Sequence, residues 1–216
     1  MVSLSKNQAV SLKKQSPTLN RLHFGLGWDP AKSLKSVTPI TTVNKSFFTK
    51  LFGTKNNNDN NDTYDVIDID LDASCVMIDV MGNVLDSVWF DNLESECGSV
   101  IHTGDNLTGE GEGDDEVILV ELARLPFNVE YLVFTVNSYW GQTFNEVDNA
   151  FCRVLDQNNQ ELARYQLTEQ GPHTGIIIAT LKRNGGSWDF IAQGYPCTGE
   201  TVEDMYSEII KKVVIQ

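Results

Sequence analysis

Gly175-Ile176-Ile177-Ile178-Ala179-Thr180-Leu181 leads through Lys182 to Arg183-Asn184-Gly185-Gly186, and Trp188-Asp189-Phe190-Ile191-Ala192 follows one residue later. Two segments rich in β-branched and aromatic residues thus flank a turn of Asn and Gly. Those two residues accept the positive φ that a tight hairpin needs. The same pattern recurs upstream, where Ala150 to Leu155 and Glu161 to Leu167 flank Asp156-Gln157-Asn158-Asn159. Tyr131-Leu132-Val133-Phe134-Thr135-Val136 is an almost continuous apolar run and predicts a strand buried on both faces. Val117 to Leu122 and Val84 to Phe90 read as strands, the latter entered through the turn Met81-Gly82-Asn83. Val66 to Val80 reads as one long strand or two. In Arg21 to Pro30, Leu22, Phe24 and Leu26 share one face by period two, and Pro30 ends the strand. Residues 2–12 alternate weakly and predict a short strand.

Helix is predicted only at the end. Thr201 caps it with Asp204 three residues on. Val202, Met205, Tyr206, Ile209, Ile210, Val213 and Val214 recur at helical spacing, and Lys211 and Lys212 sit where the helix dipole favours cations. Short strands separated by turns, with one terminal helix, predict a mainly β protein: a β-sandwich of two antiparallel sheets with a C-terminal helix. The 216 residues are read as a single domain over 1–216, with a mobile insert at about 44–63. That insert runs from the basic, aromatic stretch Phe47, Phe48, Leu51, Phe52 into Asn56-Asn57-Asn58-Asp59-Asn60-Asn61-Asp62, which cannot bury a core.

No apolar run is long enough to span a bilayer, and Met1 to Lys6 lacks an apolar signal core, so the expected location is cytoplasmic. Cys75, Cys97, Cys152 and Cys197 form no CxxC pair and are expected as free, mostly buried thiols. His23, His102 and His173 have no ligand-spaced partners, which argues against zinc.

Net charge is −14, and its distribution is uneven. Residues 1–55 carry nine Lys or Arg against Asp29 alone; residues 56–123 carry eighteen Asp or Glu and no Lys or Arg. The sign argues against nucleic acid as a partner. The middle third is expected to be neutralised by the N-terminal third, by bound cations or by solvent. Its densest part is Gly104-Asp105-Asn106-Leu107-Thr108-Gly109-Glu110-Gly111-Glu112-Gly113-Asp114-Asp115-Glu116, where six carboxylates alternate with glycine. Like charges this close repel, while glycine lets oxygens converge, which suits a hard cation such as Ca²⁺. Asp105, Asn106 and Thr108 offer side-chain oxygens, and Glu110, Glu112, Asp114, Asp115 and Glu116 offer charge. A second group is Asp68-Ile69-Asp70-Leu71-Asp72, three acids at period two in a strand-like segment where Asp is disfavoured. Side chains at i and i+2 of a strand stand about 6.7 Å apart, so one ion takes one or two of them plus groups from another loop. The two segments hold oxygens enough for two Ca²⁺ ions. The spacing is not that of an EF-hand. The alternative is a solvated acidic loop, against which stand the recurring glycines and the lack of any basic residue in the segment.

At these residues the chain resembles the TerD family of tellurite-resistance stress proteins, and within it the TerZ branch. The resemblance rests on Val2-Ser3-Leu4-Ser5-Lys6, Gly25-Leu26-Gly27-Trp28-Asp29, Asp70-Leu71-Asp72-Ala73-Ser74 and Gly98 through Gly109 with the acids that follow. Asn149-Ala150-Phe151, Arg153-Val154 and Glu161-Leu162-Ala163-Arg164-Tyr165 add to it, so it covers nearly the whole chain. It implies a cytoplasmic calcium-binding β-sandwich of a tellurite and stress-resistance system. It also implies an assembly near the membrane with other tellurite-resistance proteins, the integral membrane protein TerC among them. The ligand set it implies is Asp70, Asp72, Asp105, Asn106 and the acids of 110–116, with Asp29 and Asn92 nearby. Asp91, beside Asn92, departs from a common Asn of the family and adds charge there.

Three function classes follow. The first is a calcium-binding interaction module. The second is an enzyme, disfavoured because no GxSxG, P-loop, HExxH or dinucleotide fingerprint is present. The third is a calcium-dependent binder of anionic lipid at the inner face of the membrane, a peripheral contact that the Phe47 to Phe52 segment and its lysines would assist.

Overall fold

The computed structural model describes residues 2–30, 32–34, 64–66, 69–108 and 113–215. The insert at 44–63, Asp68, Glu110 and Glu112 lie outside the described residues. In chain order the strands are β1 (Val2–Leu4), β2 (Ala9–Ser11), β3 (Arg21–Pro30), β4 (Lys32–Leu34), β5 (Tyr64–Val66), β6 (Leu71–Ile78) and β7 (Val84–Val88). Then follow β8 (Val100–His102), β9 (Glu116–Glu121), β10 (Tyr131–Ser138), β11 (Val147–Asp156), β12 (Glu161–Gln166), β13 (Gly175–Asn184) and β14 (Ser187–Cys197).

Two six-stranded sheets form the sandwich. The first runs β1-β12-β11-β3-β9-β8 and the second β2-β14-β13-β10-β6-β7, with β4 and β5 paired separately. Among the described residues all pairings are antiparallel except β1 on β12. The fold class expected from the sequence is therefore observed, with one parallel edge. The 183–186 turn joins β13 to β14 with Asn184 opposite Ser187.

Residues 2–12 differ from the expected single short strand. The chain turns at Asn7, whose φ of 64° lies in a region Asn tolerates, and β1 and β2 join different sheets. A helical turn, α1 (Leu12–Gln15), then buries Leu12.

Leu22, Phe24, Leu26 and Trp28 of β3 face inward and are all buried. Phe24 stacks on Phe134 of β10 with ring centroids 4.0 Å apart, which joins the two sheets at their centre. Each such ring removes about 150–250 Å² from water, so this contact dominates the middle layer. The second sheet is covered on both faces, so β6, β10 and the first seven residues of β13 are buried without a break, polar Asp72, Ser74 and Asn137 included. On its outer face Val76, Ile78, Val133 and Ile177 pack against Val202, Met205 and Ile209 of the terminal helical segment. That segment begins as a 3₁₀ turn at Glu203–Met205, continues as α2 (Tyr206–Ile209) and widens to π-type bonding over Ile210–Val214. The expected Thr201 cap does not form: the N-cap position falls on Val202, without a side-chain cap, and Asp204 Oδ2 instead gathers the N–H groups of Glu200 (3.0 Å) and Thr201 (3.1 Å) that lead into the turn.

The cysteines are free thiols, as expected. Burial pushes the Cys75 and Cys152 thiols well up and the Cys197 thiol up to about 12. Partial burial acts the same way on Cys97, but hydrogen bonds with Ser95 and Ser99 outweigh it and hold that thiol below its usual range.

Candidate metal centre

One end of the sandwich carries the acids. It is built on a lane that β3 leaves bare. Its outward positions 25 and 27 are glycines, between inward Phe24, Leu26 and Trp28. A Cβ on Gly25 would overlap the Asp114 carboxyl, and one on Gly27 would lie 2.5 Å from the Gly113 carbonyl oxygen and 2.6 Å from the Phe151 ring. The end of the acidic segment lies in this lane. Asp115 N–H donates to the Leu26 carbonyl at 2.7 Å, and Asp115 Oδ2 accepts Trp28 N–H at 2.9 Å.

Across the same lane Arg153 of β11 reaches Asp114. Its Nε donates to Oδ1 at 2.7 Å and its Nη2 to Oδ2 at 3.0 Å, a two-pronged pairing. His23 Nε2 lies 3.4 Å from the same carboxylate. The sequence expectation that the middle third is neutralised by the N-terminal third, cations or solvent is corrected here. An arginine of the C-terminal third does part of it, because Arg153, Gly25 and Val117 stand in register on neighbouring strands with no side chain between.

Glu116, at the start of β9, is buried and works as a staple between the sheets. Its Oε2 accepts the Ala73 N–H of β6 at 2.6 Å, and its Oε1 accepts the Asn106 N–H at 3.2 Å. His102 Nε2 stands 3.4 Å from Oε2, while His102 Nδ1 accepts the Gly104 N–H, which places the imidazole proton on the side facing Glu116. Burial raises the Glu116 pKa, and these donors oppose the rise. Asn106 Nδ2 donates to Asp115 Oδ1 at 3.0 Å, and Asn106 Oδ1 accepts Thr108 N–H at 3.1 Å, so the loop is knitted by its own amides. Burial raises Asp115 too, with Asp29 and Asp114 adding repulsion.

The strand acids meet the loop at this point. Trp28 Nε1 donates to the Ile69 carbonyl at 2.9 Å, which fixes the chain entering β6. Asp70 and Asp72 follow, 7% and 3% exposed, and carboxylate oxygens of Asp70, Asp72 and exposed Asp105 lie within 4.8 Å of one another. Burial, then repulsion from Asp70, Glu116 and Asp105, pushes the Asp72 pKa up to about 8, against a lowering by the Tyr139 N–H. Burial and Asp105 raise Asp70, and the Trp140 indole N–H, 3.1 Å from Asp70 Oδ2, lowers it. Asp70 Oδ1 is buried without a hydrogen-bond partner. Such a group is costly unless something else satisfies it. The donors are all oxygen and the charge is concentrated, so the residues fit a hard divalent cation.

The expected site residues therefore separate. Asp70, Asp72 and Asp105 form the cluster. Asn106, Thr108, Asp115 and Glu116 build the frame around it, and Asp29, beside Asp115, accepts a 2.7 Å bond from Asn149. Asp114 is held by Arg153 on the bare lane. Asn92 is turned elsewhere, its amide donating to the Ser87 carbonyl at 2.6 Å. Two contributors were not singled out from sequence. Asn137, opposite Asp72 on β10, is buried and donates to the Glu200 carbonyl at 2.8 Å. Its signal was an amide directly after the apolar run of 131–136. Trp140 gave no signal beyond its type.

The fold and this centre define a class. The chain matches the TerD domain over residues 1–207 and belongs to that family. It is 57% identical over 214 residues to the tellurium resistance protein TerZ of Serratia marcescens, covering 99% of this chain and 100% of that protein. It is 38% identical to the stress response protein SCP2 of Bacillus subtilis, covering 97% and 99% of the two chains. The crystal structure of a homologue of the telluride resistance protein TerD from Streptomyces coelicolor A3(2) superposes with a TM-score of 0.64 at 21% identity. That superposition covers 89% of this chain and 98% of the other, and it shows the shared fold. The chain is thus a member of a tellurium- and stress-resistance family. Among the described residues no helix is long and apolar enough to cross a membrane.

Proposed function

We propose that this protein is a calcium-binding interaction module of a tellurium- and stress-resistance system, with Asp70, Asp72 and Asp105 holding the ion. The observation that carries the reading is the convergence of these three carboxylates within 4.8 Å with Asp70 Oδ1 unsatisfied. A divalent cation would relieve the repulsion that raises Asp72 and Asp70, and would tie the loop at Asp105 to the start of β6. Calcium suits the site better than magnesium, which keeps more of its water and takes fewer protein ligands. The reading assigns one ion. Among the described residues the cluster is the sole group with this spacing, so the second ion expected from the sequence has no second group there.

The module acts without catalysing a reaction, by presenting a cation-stiffened surface in the cytoplasm to other tellurium-resistance proteins, with TerC as the membrane-bound member. Support for that context is the relatives' names, which describe resistance and stress response. The test is a thermal melt with calcium, magnesium and chelator. Calcium at a hundred times its dissociation constant is expected to add about 2.7 kcal/mol. A melt that calcium leaves unmoved would overturn the reading.

A further inference from the structure

We infer that the cation site faces an anionic phospholipid surface, with Trp140, Tyr139 and Leu107 as the side chains that enter the headgroup region; this rests on the calcium reading above. The rim of the site is apolar where an acidic loop would be expected to be polar. Leu107 is 60% exposed two residues from Asp105, Trp140 is 72% exposed, and Tyr139 is 45% exposed. Trp140 and Tyr139 bond to Asp70 and Asp72, and Leu107 comes from the loop that supplies Asp105, so two separate loops bring apolar side chains to the carboxylate group.

The tryptophan is held, not loose. Its indole N–H is fixed on Asp70 Oδ2, so its polar edge points into the site while its apolar body remains in solvent. Tyr139 packs against its ring edge-on at 5.4 Å, and Phe90 packs against Tyr139 in turn at 5.6 Å. Tyr139 also donates its backbone N–H toward Asp72. Trp and Tyr rings with one wet edge and one apolar face partition to the lipid headgroup region.

Charge sets the condition. A chain of net charge −14 with three carboxylates at this rim is repelled by an anionic bilayer. A bound calcium, +2 against at most −3 on the three carboxylates, removes most of that repulsion and leaves the ion free to bridge to the surface. Calcium takes six to eight oxygens; Asp70 Oδ2 already accepts the Trp140 indole N–H, so these three side chains leave positions open, and lipid phosphate supplies hard oxygens of the kind calcium prefers. The cation and the rings then contact the same surface from one end of the sandwich.

The test is co-sedimentation with vesicles of phosphatidylglycerol and phosphatidylcholine, or of phosphatidylcholine alone, in calcium or EGTA. Sedimentation is expected only with phosphatidylglycerol and calcium, with a blue shift in tryptophan emission that Trp140→Phe removes. Trp140→Ala and Leu107→Ser are each expected to weaken vesicle binding roughly tenfold. Calcium calorimetry without vesicles separates the two ideas. Calcium heat without sedimentation would overturn the lipid inference alone, as would equal binding to phosphatidylcholine or binding indifferent to both substitutions. No calcium heat would overturn the cation reading and this inference with it.

Discussion

Replacing Asp72 with asparagine is expected to stabilise the cation-free protein while abolishing its response to calcium. The reasoning starts from the pKa of Asp72, about 8 in the fold against an ordinary 3.8. A carboxyl whose native pKa is raised binds its proton more tightly folded than unfolded. Its contribution to stability is therefore greatest below about pH 4 and declines as pH rises toward 8. At pH 7 the unfolded chain has released the proton and the native chain must take it up. Each pH unit above 3.8 costs about 1.4 kcal/mol, which gives an upper bound of about 4 kcal/mol. Relaxation of the site reduces this, so a gain of roughly 2 kcal/mol is a fair expectation, or about 4–8 °C in a chain of this length. Asparagine keeps the shape and still accepts the Tyr139 N–H. The assay is a thermal melt of both proteins in EGTA from pH 5 to 8. The wild type should lose stability across that range more steeply than Asp72→Asn, and calcium should raise only the wild type. A variant less stable than wild type in EGTA at pH 7 would refute the argument, because Asp72 would then be a net contributor to the fold as a carboxylate.

Asp105→Asn should weaken calcium binding in calorimetry at least about tenfold and leave the apo melt nearly unchanged, since Asp105 is exposed. Gly25→Ala forces a methyl into the Asp114 carboxyl and should cost about 1–3 kcal/mol by denaturant midpoint. Arg153→Ala strips the two-pronged partner from a largely buried Asp114 and should cost about 1–3 kcal/mol, read the same way. In native thiol labelling Cys97 should react first, with Cys75, Cys152 and Cys197 protected until unfolding.

What a sequence can reveal here depends on whether the cause is local. Period two in Leu22, Phe24 and Leu26 named the inward face of β3 because neighbouring residues set it. The apolar run at 131–136 announced double burial because the terminal helix had to cover something. Asp70 and Asp72 stood out as acids in a strand, and the structure brings them to Asp105. Other features depend on partners far along the chain. The division of residues 2–12 between two sheets turns on one left-handed residue, Asn7, within an alternation that looks continuous. Nothing near Asp114 pointed to Arg153, since their meeting requires two strand pairings and a side chain missing between them. The buried amide of Asn137 and the tethered indole of Trp140 became meaningful only when β10 was laid beside β6.

The two short strands at the start of the chain also bear on how the protein is made. Val2 pairs with Ala163, and Ala9 pairs with Ile191. Leaving a ribosome at roughly 5–20 residues per second, these first strands wait on the order of 10 s for partners that do not yet exist. Until then each edge strand lacks the strand it pairs with, and Leu4 and Leu12 have no core to enter. The sandwich can close only once β12 and β14 have been made, so a holding factor that shields the nascent β1–β2 segment should raise its yield.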